Sequence, residues 1–152
     1  MKKRYLTKTF LKTLFLRQNN YHKYGILKHT LAVTIHALKD KNYKMIPAAI
    51  FHDIGKPYVA FQDEKDKQTG EYSFTNHEEI SYQIIKNWRM SEYTKELVRY
   101  HYLIRGISKA KKKGQEGKYK RMKRRYDSLD ENFIEDLKTF MKYDDLGKQR
   151  LY

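Results

Sequence analysis

The stretch Met45-Ile46-Pro47-Ala48-Ala49-Ile50-Phe51-His52-Asp53-Ile54-Gly55-Lys56-Pro57 decides how this chain is read. It begins as an ordinary core helix. Pro47 suits a first helical turn, where its missing N–H costs nothing. Apolar residues continue to Ile54, and Gly55 with Pro57 reads as the stop. Yet the apolar face ends on ionisable groups. Asp53 follows Ile46, Ala49 and Ile50 on one side, and His52 follows Met45, Ala48 and Ala49. Adjacent helical residues diverge by about 100°, so both reach one point only at a helix end or bend. The Gly-Lys-Pro that follows provides the bend and leaves Lys56 near the same mouth. A lysine there offers positive charge to a phosphate; its plainer role is to complement the helix C-terminus.

The pattern recurs outward from that stretch. Asp144 continues the stripe Phe133, Leu137, Phe140 and Met141; His77 leads Ile80, Ile84 and Trp88; His101 lies between Leu97 and Ile104; His29 shares a side with Ala32, Val33 and His36. One inward histidine is commonly a hydrogen-bonded core residue, and His36 is read as that or as a support behind the ligands. Several together are different, because each unpaired buried charge costs several kcal/mol. His29, His52, His77, His101, Asp53 and Asp144 can all be satisfied by one divalent cation or two. Nitrogen and oxygen donors without sulfur suit Mn, Fe, Co, Ni, Zn or Mg.

The rest of the chain frames this cluster. Its 152 residues fit one domain over 1–152. Cysteine is absent, which excludes disulfide scaffolds, thiol nucleophiles and iron–sulfur clusters. No apolar run reaches the ~18–20 residues of a membrane span. The basic start lacks the apolar segment and cleavage site of a secretory signal, so the expected setting is soluble and cytoplasmic. Periodicity predicts helices over 6–16, 24–40 and 45–54. A turn-like stretch covers 61–74, with a tight turn at Gln68-Thr69-Gly70. Asn76 with Glu79 reads as a capping box for a helix to Met90, Ser91 caps one to Ile104, and Ser128 with Glu131 opens one to Asp145. The expected fold is all-α, a compact bundle of about six helices. Of the net charge of +15, the segment 105–125 carries +10 from eleven Lys or Arg and one Glu. It reads either as a solvated loop or as a phosphate-binding flap, with Arg105 and Lys109 as candidates.

His29, the run His52-Asp53-Ile54-Gly55-Lys56-Pro57 and the late Asp144 resemble the H…HD…D signature of the HD-domain metal-dependent phosphohydrolases. The stretch from Tyr21-His22 through His29-Thr30-Leu31-Ala32-Val33 is most similar to the HD portion of bacterial tRNA nucleotidyltransferases (CCA-adding enzymes), as is Phe74-Thr75-Asn76-His77-Glu78. Tyr143-Asp144-Asp145-Leu146-Gly147 resembles that family's Ala-Asp-x-Leu-Gly ending, which favours Asp144 over Asp145. The resemblance implies an all-helical fold, a metal held by His29, His52, Asp53 and Asp144, and hydrolysis of a phosphoester by metal-activated water. In two-metal members, extra histidines on the next two helices hold a second ion, and His77 and His101 match them. No nucleotidyltransferase head is present, so CCA addition is not implied. The GYP tripeptide of the cyclic-di-GMP phosphodiesterases is missing as well.

The function these readings predict is hydrolysis of a phosphoester of a nucleotide or an RNA end, for example a 2′,3′-cyclic phosphate. Asp53 would ligate metal and orient water, with Lys56, Arg105 and Lys109 on phosphate. His22 would touch substrate or act as general acid, since its ordinary pKa near 6.5 suits the latter task; its plainer role is a surface histidine before a helix. Glu78 is a lesser candidate for assisting the water. The substrate is the expected partner, with no membrane and no obligate protein partner. Two alternatives stand: a 5′-nucleotidase or cyclic-nucleotide phosphodiesterase, and a basic RNA-binding module whose metal is structural.

Overall fold

The computed structural model describes residues 8–152. Among these residues the chain is all α. Helix α1 spans Lys8–Leu14, α2 Ile26–Lys39, α3 Ile46–Phe51, α4 Lys56–Val59 and α5 Glu64–Thr69. Then follow α6 His77–Ile85, α7 Glu92–Tyr100, α8 Leu103–Lys112, α9 Glu116–Asp127 and α10 Glu131–Gln149. A 3-10 turn at Tyr43–Met45 leads into α3. The start of the first expected helix, at Leu6, lies outside the described residues. No described helix is long and apolar enough to cross a membrane.

Helices α2, α3, α6, α7 and α10 enclose the core, through residues such as Val33, Ala48, Ile85, Leu97, Leu137 and Phe140. The small side chains Ala48 and Ala49 are fully buried and let α3 sit close against α2 and α7. Two glycines set how near the outer helices come. A Cβ on Gly147 would stand 2.6 Å from Val33 Cγ2 and 3.0 Å from its backbone N. This lets α10 lie tight on α2 and brings Asp144, one turn before Gly147, over His29. A Cβ on Gly55 would stand 2.5 Å from the His77 carbonyl O and 2.6 Å from Ser81 N. Gly55 adopts an ordinary right-handed conformation, so close approach to α6, not a left-handed turn, is what requires it.

Several predicted boundaries move for identifiable reasons. Pro57 does not stop a helix; it occupies the first turn of α4, where a missing N–H is harmless. The stretch 61–74 contains α5, closed at its start by a true capping box of Asp63 and Asp66 and ended by Gly70 at φ +69°. Nothing in α5 is buried, so no apolar period announced it. Asn76 takes φ +63° and caps nothing, so the capping box with Glu79 does not form, and α6 ends at Ile85 rather than near Met90. Ser91 does cap α7, accepting from Thr94 N. Asp130, not Ser128, caps α10, accepting from Asn132 N and Phe133 N, while Ser128 Oγ donates to Arg125 O. The helix expected to run to Ile104 ends at Tyr100. The basic segment is no loop: it forms α8 and α9, an antiparallel hairpin reversed at Gly114, φ +63°.

Candidate metal centre

Five elements deliver the six predicted side chains to one place. His29 comes from α2, His52 and Asp53 from the turn after α3, His77 from the first residue of α6, His101 from the end of α7 and Asp144 from α10. All six are buried. Asp53 is the hub. Its Oδ2 lies 3.5 Å from His29 Nε2 and 3.3 Å from His52 Nε2. Its Oδ1 lies 3.4 Å from His77 Nε2 and 3.9 Å from His101 Nε2. Asp144 Oδ1 lies 2.9 Å from His29 Nε2 and 3.8 Å from His52 Nε2. The donors sort into two groups, His29–His52–Asp144 and Asp53–His77–His101, each with ligand atoms within 4.8 Å of one another.

Backbone carbonyls fix which ring nitrogens face inward. His52 Nδ1 lies 2.8 Å from Ala49 O, His77 Nδ1 2.8 Å from Phe74 O, and His101 Nδ1 2.7 Å from Val98 O. A carbonyl only accepts, so each Nδ1 carries a proton and each neutral ring presents a bare Nε2 to the centre. His77 Nε2 and His101 Nε2 face each other at 3.2 Å. Two acceptor lone pairs in that position repel unless a cation stands beside both. Asp53 Oδ2 meets Lys56 Nζ at 2.7 Å, but His52 Nε2 is likewise buried without a directed hydrogen bond. Such orphaned acceptors are rare, and imidazole nitrogens held by carbonyl acceptors behind them are the usual arrangement around metals. The donor set fits a divalent ion.

The charges point the same way. Burial disfavours ionised Asp53, but His52, Lys56 and His77 outweigh it and hold the carboxyl well below its usual range. Asp144 is also lowered, through His29, Lys148 and Arg105 against the same burial penalty. Burial pushes His77 down to about 4 and His22 down to about 2, and lowers His101 strongly, helped by its neighbours His52 and His77. His52 alone goes up, because Asp53 and Asp144 overcome its burial. For metal-free protein the sign follows. Below pH 6.5 the unfolded chain protonates His22, His77 and His101 while the fold keeps them neutral, so acid removes stability. His52, raised, stabilises in full below 6.5 and adds no slope there. Glu78, raised by burial, works oppositely, gaining stability as pH falls toward 4.5, and the two aspartates act only at lower pH. Three groups outweigh one. In EDTA the Tm should fall as pH drops from about 6.5 to 4; a Tm that rises over that range contradicts this charge assignment.

The remaining predicted residues divide. Lys56 is not at a solvent-facing mouth: it is 5% exposed, its Nζ 2.7 Å from Asp53 Oδ2 and 2.5 Å from Gln18 Oε1. An ammonium group thus stands where Asp53 needs positive charge. Arg105 does reach the centre, donating Nη1 to Asp144 Oδ2 at 2.7 Å and Nη2 to Asp145 Oδ1 at 2.6 Å. Lys109 is exposed one turn further along α8, away from the metal donors. The His22 ring meets His29 edge to face, centroids 5.0 Å apart. With its pKa near 2 it is neutral at working pH, which removes the basis for general-acid duty. Its Nδ1 lies 2.8 Å from Asn19 Oδ1, so the free Nε2 is an acceptor. His36 lies apart, its Nε2 3.2 Å from Arg150 O. Glu78 Oε2 is buried without a hydrogen bond, 3.4 Å from His77 Nδ1.

Sequence reasoning missed two supports. Ser81 accepts from Gly55 N at 2.9 Å and donates to His52 O at 2.8 Å, tying the His52-Asp53 turn to α6. Its place four residues after His77, on the same helix face, was the available signal. Gln18, fully buried, holds Lys56 against Asp53; no pattern marked it.

Comparison with curated proteins and with solved structures gives no significant match. The family model described as HD domain matches residues 26–132. That span contains His29, His52, Asp53, His77 and His101, and α10 adds Asp144 from beyond it. With most of its length matched and the buried His-Asp pair at the hub, the chain belongs to the HD domain family, whose members are generally metal-dependent hydrolases.

Proposed function

We propose that this protein is a metal-dependent phosphohydrolase or phosphodiesterase, acting on a phosphoester of a nucleotide or an RNA end such as a 2′,3′-cyclic phosphate. The observation that carries the reading is the pair of opposed Nε2 acceptors of His77 and His101 beside the ionised Asp53 hub. His29, His52, Asp53 and Asp144 would hold one divalent ion, with His77 and His101 extending the set toward a second. Such an ion supplies Lewis acidity toward phosphoryl oxygens and acidifies water. The chain's residues do the rest. Asp53 stays an acceptor at every working pH, so it can take a hydrogen bond from the attacking water and orient it. Lys56 and Gln18 keep that carboxylate fixed. Arg105, pivoted on Asp144 and Asp145, turns a delocalised charge toward the phosphate, where positioning and electrostatics do most of the work. His22 offers Nε2 as an acceptor for a substrate hydroxyl or water.

The likeness of residues 21–33 to the tRNA nucleotidyltransferases supports an RNA end over a free mononucleotide, within a single cytoplasmic HD-type unit. Elemental analysis of purified protein, followed by a panel of mononucleotides, cyclic nucleotides and RNA, tests the reading. Turnover should depend on bound metal and vanish in the double variant His52→Ala with Asp53→Ala. Full activity in that variant, or stoichiometric metal with no turnover on any phosphoester, would overturn it.

A further inference from the structure

The hairpin of α8 and α9 does work that the centre does not need. Helix α9 buries none of its residues and packs mainly on α8, where Met122 fills the space left by Gly106. A helix that adds nothing to the core and still concentrates positive charge is costly to keep unless something covers it. Nine basic side chains of the hairpin are exposed: Lys109, three lysines at 111–113, Lys118, Lys120, Arg121, Arg124 and Arg125. Among the described residues none of these nine is in an ion pair; of the hairpin's other two basic side chains, Lys123 pairs with Asp127 and Arg105 with Asp144 and Asp145.

The charges are ordered. Arg105, Lys109 and Lys112 recur at four and three positions and so share one face of α8. Lys118, Arg121 and Arg125 recur at three and four and share one flank of α9. The α8 stripe begins at the centre, where Arg105 grips Asp144. Helix α9 runs antiparallel to it, with Met122 on Gly106, so its stripe starts at the tip with Lys118 and ends at Arg125, level with the base of α8. Each stripe covers about 10 Å at 1.5 Å per residue, the reach of about three phosphates of one strand. A duplex is too wide to bring one of its phosphodiesters to a buried centre, whereas a single strand is not. Beside the centre, Tyr102 stands edge-on to His77, ring centroids 5.8 Å apart, with the Arg105 guanidinium 6.0 Å from its own ring. That is a stacking surface for an unpaired base.

We propose that the α8–α9 hairpin is an arm for single-stranded nucleic acid: its two stripes hold the phosphodiester backbone and lead a strand end to the metal centre. Delivery of the end rests on the hydrolytic reading above; the grip on the backbone does not. The test is therefore a binding measurement, made in EDTA so that no hydrolysis enters. Fluorescence anisotropy is recorded with labelled 12-nucleotide single strands of RNA and DNA, a duplex of the same length and inorganic polyphosphate, across a salt series. If all six stripe residues engage, log K against log salt should slope about −4 for a single strand. The variant Lys118→Glu with Arg121→Glu and Arg125→Glu should bind at least tenfold more weakly, with the slope shallower by about 2. The control variant Lys65→Glu with Lys86→Glu and Arg89→Glu, equal in charge change but off the arm, should keep the slope. Circular dichroism checks that α9 remains folded, and a Gln version of the arm variant replaces the Glu version if it does not. Equal loss in arm and control variants, or duplex or polyphosphate bound more tightly than either single strand, overturns the proposal.

Discussion

Replacing Asp53 with Ala is expected to abolish metal-dependent hydrolysis and to lower stability by about 3–5 kcal/mol, the usual result of removing one partner of a buried ion pair. The second effect comes from Lys56. Its ammonium is buried, 2.7 Å from Asp53 Oδ2, and Gln18 alone cannot compensate a full charge. The account predicts a specific rescue. In the double variant Asp53→Ala with Lys56→Met, no uncompensated charge remains, so a large part of the lost stability should return while hydrolysis does not. Denaturant unfolding of the four proteins of this cycle reads the coupling directly. If Lys56→Met adds its own cost to Asp53→Ala, the two groups are independent and the hub assignment is wrong.

Gly55→Ala should cost about 3 kcal/mol, the upper end for overpacking. The two atoms that the new methyl would strike hardest, His77 O and Ser81 N, are backbone and cannot rotate away, and Ser81 Oγ is also within 2.9 Å. The turn carrying His52 and Asp53 would have to part from α6, breaking the Ser81 bridge and moving His77 from Asp53. Metal affinity should fall with stability. Gly117→Ala is the contrast: nothing lies within 4 Å of its added Cβ in α9, and alanine favours a helix over glycine by about 0.5–1 kcal/mol, so that variant should be neutral or slightly stabilised. Thermal melts of the two variants decide the matter. A Gly55→Ala protein as stable as Gly117→Ala would remove close approach as the reason for the glycine.

The centre was more legible in the sequence than its surroundings. Polar groups on apolar faces at 29, 52, 53, 77, 101 and 144 could be read because helical period converts spacing into direction, and all six meet. Lys56 could not be placed, because spacing gives no sign of whether a side chain turns outward or folds back on its neighbour three residues before it. Gln18 was silent for a related reason, since its partners are a backbone carbonyl and one lysine far along the chain, and Ser81 was marked only by sharing a helix face with His77. Gly55 and Pro57 were read by their commonest local meaning, whereas contact with α6 and the start of α4 decided it. The basic segment reads as a loop when judged by apolar period, since α9 buries nothing. Asn76 shows that a capping-box spacing says nothing about the backbone angle at its first residue, here φ +63°.

The central claim is that the imidazoles and carboxylates of five separate elements converge to hold one divalent ion or two. Anomalous diffraction from crystals grown with Mn²⁺ tests it most directly. The account predicts a strong peak bounded by His29, His52, Asp53 and Asp144, lost in the His52→Ala protein. Crystals in which manganese binds only at surface carboxylates, with the six buried side chains closed on one another, would contradict it.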